Sequence, residues 1–202
     1  MEKLHNLSPF GFVLLCFLSA SLAMLPTNIT TDQSSLLALR SHISFDPHQI
    51  LANNWSVRSS VCEWIGVTCG FRHLRVTGLS ISNMNLSGTL PPQLGNLSFL
   101  VSLDMRNNNF HGEMPHEIAR LRRLKVLNLG INNLKGELPW WIGSFPKLRH
   151  LNLGNNSFTG RIPSSISNLS KLETIYLSFN PLQGNIPTGI FNISSLQIIH
   201  LM

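Results

Sequence analysis

Apolar residues recur in one fixed order along residues 79–201, and the order returns every 24 residues. Each unit opens on an alternating stretch, as in Leu103-Asp104-Met105-Arg106 and Leu127-Asn128-Leu129-Gly130. A period of two puts the leucines on one face of a short strand and the intervening residues on the other. Core residues follow at Leu86, Phe110, Leu134, Phe158 and Leu182, then glycines at Gly88, Gly112, Gly136, Gly160 and Gly184. Prolines stand at Pro91, Pro115, Pro139, Pro163 and Pro187. Two further apolar columns, Leu94/Ile118/Ile142/Ile166/Ile190 and Leu97/Leu121/Phe145/Leu169/Ile193, precede the closing leucines Leu100, Leu124, Leu148, Leu172 and Leu196.

A unit this short cannot bury its own apolar face, so a fixed period implies a solenoid in which each repeat covers its neighbour. The strands then align as a parallel sheet, and six of them at ~4.8 Å spacing span about 24 Å. Because proline limits regular helix, the other side is expected to carry 3₁₀ turns and extended segments. Asn108, Asn132, Asn156 and Asn180 occupy the column where the chain turns in from the strand, with Met84 in that place in the first repeat. An amide donates twice and accepts through its oxygen, so these residues are expected to satisfy backbone groups that have no ladder partner.

Residues 24–75 lack the period. Thr30 to Gln33 reads as a capping box, and Leu36, Leu37, Leu39 and Ile43 recur at helical spacing. Asp46 and Pro47 are placed to start a second short helix holding Ile50 and Leu51. The region is expected to cap the open cross-section of the first repeat, with Trp55 and Trp64 in its core. Ahead of it, Lys3, the apolar run Phe10–Leu18 and the small-x-small pattern Ser21-Leu22-Ala23 read as a secretory signal cleaved near Ala23. The expected organisation is thus a signal at 1–23, a cap at 24–75 and five repeats plus the start of a sixth at 76–202. After the signal no apolar run is long enough to span a bilayer.

Loss of the signal removes Cys16 and leaves Cys62 and Cys69, an even pair suited to a disulfide in an oxidising compartment. Seven N-x-S/T sequons follow, at Asn28, Asn54, Asn85, Asn96, Asn155, Asn168 and Asn192, and are expected to take N-glycans. Net charge is +6, but the basic residues are scattered apart from Arg120, Arg122, Arg123 and Lys125. That cluster, without interleaved aromatics, reads as a solvated turn and not as a nucleic-acid patch. The histidines show no metal-ligand spacing. There is no G-x-S-x-G, no phosphate-cradling glycine loop and no paired carboxylates, so neither catalysis nor a cofactor is expected.

These columns resemble the plant extracellular leucine-rich repeat, L-x-x-L-x-L-x-x-N-x-L-x-G-x-I-P-x-x-L/I-x-x-L. Leu148, Leu151, Leu153, Asn156, Phe158, Gly160, Ile162, Pro163, Ile166 and Leu169 match it nearly throughout. Cys62-x-Trp64-x-Gly66-Val67-x-Cys69 is similar to the amino-terminal cap of the same proteins. Thr31-Asp32-Gln33-x-x-Leu36-Leu37-Ala38-Leu39 is similar to the cap helix of receptor-like kinases related to plant innate immune receptors. The resemblance implies an α/β-type leucine-rich-repeat solenoid with a helical cap. It also implies a non-catalytic ectodomain fragment of a receptor-like kinase or receptor-like protein in defence or development signalling. Such a fragment sits in the apoplast or on the outer plasma-membrane face, and binds a peptide or protein ligand and an LRR co-receptor. A secreted inhibitor of cell-wall-degrading enzymes such as polygalacturonase, and a truncated product without independent function, are the alternatives. No kinase motif is present, and the sequence stops within the strand of the sixth repeat.

Binding is expected on the outward strand positions, the concave face of a curved stack. These are Ser102, Asp104, Arg106 and Asn107; Val126, Asn128, Gly130 and Ile131; His150, Asn152 and Asn155; Thr174, Tyr176, Ser178 and Phe179; then Ile198 and His200. Asp104, Arg106, Asn128, His150, Asn152, Tyr176, Ser178 and Phe179 are the main candidates, Tyr176 and Phe179 because exposed aromatics favour hot spots. A glycan on Asn155 would obstruct part of this face. Trp140 and Trp141 follow Pro139 on the outer side, where Trp141 is expected to be partly exposed and to pack more than to meet a partner.

Overall fold

A computed structural model describes residues 29–201. The segment expected to be a signal, the sequon at Asn28 and Met202 lie outside the described residues.

The cap begins with α1 (Ile29–Ser41), whose Asp32 stands in the first turn and Arg40 in the last, each sign matched to the helix dipole. The helix starts before Thr30, so Thr30 lies inside the first turn; its carbonyl accepts from Ser34 Oγ at 2.9 Å. Leu36 and Leu39 are fully buried, but Ile43 belongs to a short strand, β1 (Ile43–Phe45), and not to the helix. The second helix, α2 (Ile50–Asn54), forms as expected: Asp46 accepts from the amides of Ile50, Leu51 and Ala52 at 2.9–3.1 Å. Trp55 and Trp64 stack at 5.5 Å between ring centroids, and their indole N–H groups donate to the Ile65 carbonyl and to Ser59 Oγ. Cys62 and Cys69 are joined, the latter at the end of β2 (Val67–Cys69).

Two strands per repeat follow: β3 (Val76–Ser80) and β4 (Ser87–Thr89), β5 (Ser102–Asp104) and β6 (Asn109–Gly112), β7 (Val126–Asn128) and β8 (Asn133–Glu137), β9 (His150–Asn152) and β10 (Ser157–Thr159); β11 (Thr174–Tyr176) and β12 (Ile198–His200) complete the series. One sheet runs β12-β11-β9-β7-β5-β3-β2, parallel throughout except where β2 closes its cap edge antiparallel. A second sheet, β1-β4-β6-β8-β10, lies across the core and is opened by β1 antiparallel to β4. The extended segments expected there pair into a real ladder. Five 3₁₀ turns, each preceded by its column proline, form the remaining side: Pro92–Asn96, His116–Arg120, Trp140–Ser144, Ser164–Asn168 and Thr188–Asn192.

Both apolar columns of the outer side and the strand leucines merge into one continuous core. The asparagine column does what its chemistry implies. Asn132 Nδ2 donates to the carbonyls of Met105, Leu129 and Gly130 at 3.0–3.3 Å, while its Oδ1 accepts from the Phe110 amide at 2.9 Å. Each amide thus ties its own turn to the previous repeat, and Asn108 serves the Met84 repeat the same way by accepting from the Met84 and Leu86 amides. The glycine column divides by cause. Gly136 sits at φ +92°, a conformation glycine adopts freely. At Gly88, a Cβ would lie 2.3 Å from the His42 carbonyl oxygen, so close approach of the cap is what requires glycine.

A buried ion pair fastens cap to stack. Arg75, just before β3, donates from Nε and Nη2 to the Asp32 carboxylate at 2.8 and 2.7 Å, and Asp32 also accepts from the Val76 amide. The guanidinium groups of Arg75 and Arg123 both lie over the Phe99 ring, 4.6 and 3.8 Å from its centroid. Arg123 is therefore a stacking partner as well as a member of the basic turn.

Candidate functional site

The strands of the main sheet are in exact 24-residue register, Asp104 against Asn128, Asn128 against Asn152, Asn152 against Tyr176 and Tyr176 against His200. Register converts sequence columns into physical rows on the concave face. In the first row, Asp104 and Asn152 accept from amides two residues ahead, those of Arg106 and Gly154, at 3.1 and 3.0 Å, and Asn128 makes a longer contact of the same kind with Gly130. These polar side chains therefore help shape the strand exits as well as facing solvent. Tyr176 is half-buried, its ring stacked on His200 at 4.7 Å. In the neighbouring row His150 Nδ1 lies 3.0 Å from Thr174 Oγ1, beside the Arg149–Glu173 ion pair.

The next row descends. Arg106 is exposed, but Gly130 and Gly154 follow it, and a Cβ at Gly130 would lie 2.6 Å from Asn152 Oδ1. Ser178, expected outward, is 8% exposed; the stack covers its side chain, so it offers little to a ligand. The last row is left-handed throughout: Asn83, Asn107, Ile131, Asn155 and Phe179 have φ of +53° to +59°. Asparagine tolerates this region, whereas bulky and β-branched residues do not. Ile131 and Phe179 are nevertheless there, 44% and 78% exposed. The concave face thus changes from charged at Asp104 and Arg106 to aromatic at Tyr176, Phe179 and His200, with Gly130 and Gly154 between and the Asn152 side chain packed over Gly130.

The sequons fall on different surfaces. Asn96, Asn168 and Asn192 are exposed at the ends of three 3₁₀ turns, one flank of the stack. Asn85 and Asn155 are exposed in left-handed positions, while Asn54 is half-buried and its Oδ1 accepts from the Ile65 amide. Among the described residues no group of histidine, cysteine or carboxylate side chains is arranged to hold a metal, and no helix is long and apolar enough to cross a membrane.

On the outer side Trp141 packs as expected but is covered where partial exposure was expected. Trp141 is 6% exposed, edge-on to Phe145 at 6.2 Å, and Trp140 is 77% exposed. The columns do not discriminate between the two: Pro92, His116, Ser164 and Thr188 stand in place of Trp140, and Gln93, Glu117, Ser165 and Gly189 in place of Trp141.

A capped stack of this period, with an asparagine ladder and a parallel concave sheet, is a leucine-rich-repeat solenoid. Family models agree: Leucine rich repeat over residues 122–182, Leucine Rich Repeat over 75–97 and 99–121, and Leucine rich repeat N-terminal domain over 29–70. The chain belongs to the leucine-rich-repeat family, and its relatives are plant receptor-like kinases. A probable LRR receptor-like serine/threonine-protein kinase of Arabidopsis thaliana is 44% identical over 75 residues, which is 37% of this chain and 7% of that protein. The Arabidopsis BIR3–SERK2 complex matches with 31% identity and a TM-score of 0.74, over 83% of this chain and 94% of that one. The Arabidopsis receptor kinase HAESA, solved in complex with the peptide hormone IDA and the co-receptor SERK1, matches with 30% identity and a TM-score of 0.64, over 85% of this chain and 33% of that one. The chain therefore spans only a small part of the length of the curated relatives it matches.

Proposed function

We propose that this chain is a non-catalytic recognition module, the ligand-binding part of a plant receptor ectodomain facing the apoplast, and that its concave sheet takes an extended peptide. The observation that carries the reading is the pair Ile131 and Phe179. Each replaces an asparagine that the left-handed row suits, and each exposes apolar surface. The fold gains nothing from either feature, which is the pattern expected where a surface is kept for a partner. HAESA, a receptor kinase of the same fold, is solved with a peptide hormone bound.

The mechanism is binding alone. A hydrogen-bonded sheet presents side chains already ordered, so association loses little conformational freedom. Ile131 and Phe179 stand two repeats apart, about 10 Å at strand spacing, and an extended peptide in the polyproline II conformation rises ~3.1 Å per residue with about three residues per turn. Apolar side chains three positions apart on such a peptide lie on one face and reach both residues, passing over Gly154 and the Asn152 side chain that covers Gly130. Asp104 and Arg106 supply the polar end. Asn155 lies between Ile131 and Phe179 in the same row, so the reading requires that position to be free of glycan.

Panning a random peptide display library on the secreted chain tests this. Enrichment of peptides with apolar residues at n and n+3, weakened about thirtyfold by Phe179→Asn, is the expected result. Selected peptides that ignore Phe179→Asn, or a fully occupied Asn155 by glycopeptide mass spectrometry, would remove the proposal.

A further inference from the structure

Away from the concave face, a cleft of about 600 Å³ opens on the outer flank between Glu137, Pro139, Trp140, Arg161, Pro163 and Gln183. Its size is that of a small-molecule site. The exposed Trp140 side chain is part of its lining, on a backbone held at its neighbours: Trp141 is buried beside it, and the Trp140 carbonyl accepts from Ser165 Oγ. Also in the lining, Glu137 and Arg161 lie along the backbones of Gly160 and Gly184; a Cβ on either glycine would come within 3.1 Å of the side-chain carbon above it. These glycines, at φ +72° and +78°, keep the two side chains flat against the flank. The Glu137 carboxylate, the Arg161 guanidinium and the Gln183 amide are exposed, and none makes a side-chain hydrogen bond or ion pair with the described residues.

From this constellation we propose a binding site for a neutral oligosaccharide. A pyranose ring has one face of C–H groups, which packs on an indole much as an apolar side chain does. Around its rim it has pairs of adjacent hydroxyls, each both donor and acceptor. A carboxylate offers two coplanar acceptors, a guanidinium a fork of donors, and an amide one of each; each spans such a pair. One carboxylate and one guanidinium leave the cleft with no net charge, which favours a neutral sugar over a uronate. The cleft is open and has no deep apolar hole of the kind that takes a peptide side chain. The ligand chemistry is that of a hexose unit, free in a glucan fragment or carried on a glycoprotein.

The test is saturation-transfer NMR and calorimetry on the intact secreted chain with three probes: cellotetraose, a released high-mannose N-glycan and tetragalacturonate. Saturable binding of cellotetraose identifies a free glucan as the source, and of the N-glycan a glycoprotein; either supports the site. Trp140→Ala should weaken binding about tenfold, with Trp140→Phe retaining part of it, and Glu137→Gln with Arg161→Gln should weaken it further. Unfolding of these variants should match the parent because the altered side chains are exposed. Phe179→Asn, on the concave face, should change nothing, so failure here and failure of the peptide reading are separable. Absence of binding for both neutral probes at millimolar concentration, unchanged affinity in Trp140→Ala, or tighter binding of tetragalacturonate would overturn the proposal.

Discussion

Single positions in this chain are decided by two separate demands, burial and backbone conformation, and the residues of interest are those where the two disagree. Asn132 meets both: its amide is buried, fully hydrogen-bonded and placed where the turn needs it. Ile131, its neighbour, meets neither, being a β-branched residue at φ +57° with 44% of its surface in water. Left-handed backbone costs a residue with a branched Cβ roughly 1–2 kcal/mol, and asparagine recovers much of that. Ile131→Asn should therefore stabilise the chain by about 1 kcal/mol, read as a higher urea midpoint with an unchanged slope. A lower midpoint would mean that Ile131 belongs to the core and would remove it from the binding surface. The sequence placed Ile131 among the outward candidates, although it shares the parity of the inward Leu127 and Leu129. It did not show the positive φ, which arises from how the strand exit meets the next repeat.

Among the elements, the junction of α1 with β3 carries more than its size suggests. Asp32 and Arg75 are 43 residues apart in sequence, and their side chains are 0% and 4% exposed. Two buried charges lose their hydration, and the pair is sustained only while both partners and their hydrogen bonds are present. Asp32→Ala leaves a buried guanidinium and an orphaned Val76 amide and should cost about 3–5 kcal/mol. Hydrogen exchange should show the loss first in α1 and β3, with β9 less affected; uniform loss would mean that the cap and stack unfold as one unit. None of this was legible in the chain, where Asp32 reads as an ordinary first-turn acid and Arg75 as a surface cation. The same distance hides β1, since Ile43 fits a helical pattern until its antiparallel pairing with Gly88 is seen. By contrast the 3₁₀ turns were readable, because each is announced by its own proline.

Over the whole molecule, a solenoid's stability is a sum of repeats and nearest-neighbour interfaces, so protection against exchange should follow the number of covered neighbours. β7 is flanked on both sides, by β5 and β9, whereas β12 has only β11 among the described residues, and Ile198 and Ile199 are 39% and 38% exposed. Amides of β12 should exchange faster than those of β7 by mass spectrometry at neutral pH; equal protection would show that another segment or molecule covers this end. The 24-residue period determined by itself that the chain stacks, which leucines face inward and where the asparagine ladder runs. These are consequences of short-range spacing repeated. Tertiary structure alone decided which of two adjacent tryptophans is exposed, that Ser178 is covered, that the extended segments form a second sheet and that Asp32 closes on Arg75. Each of those depends on what a distant segment places against the residue, and a repeat pattern carries no information about the positions where its units differ.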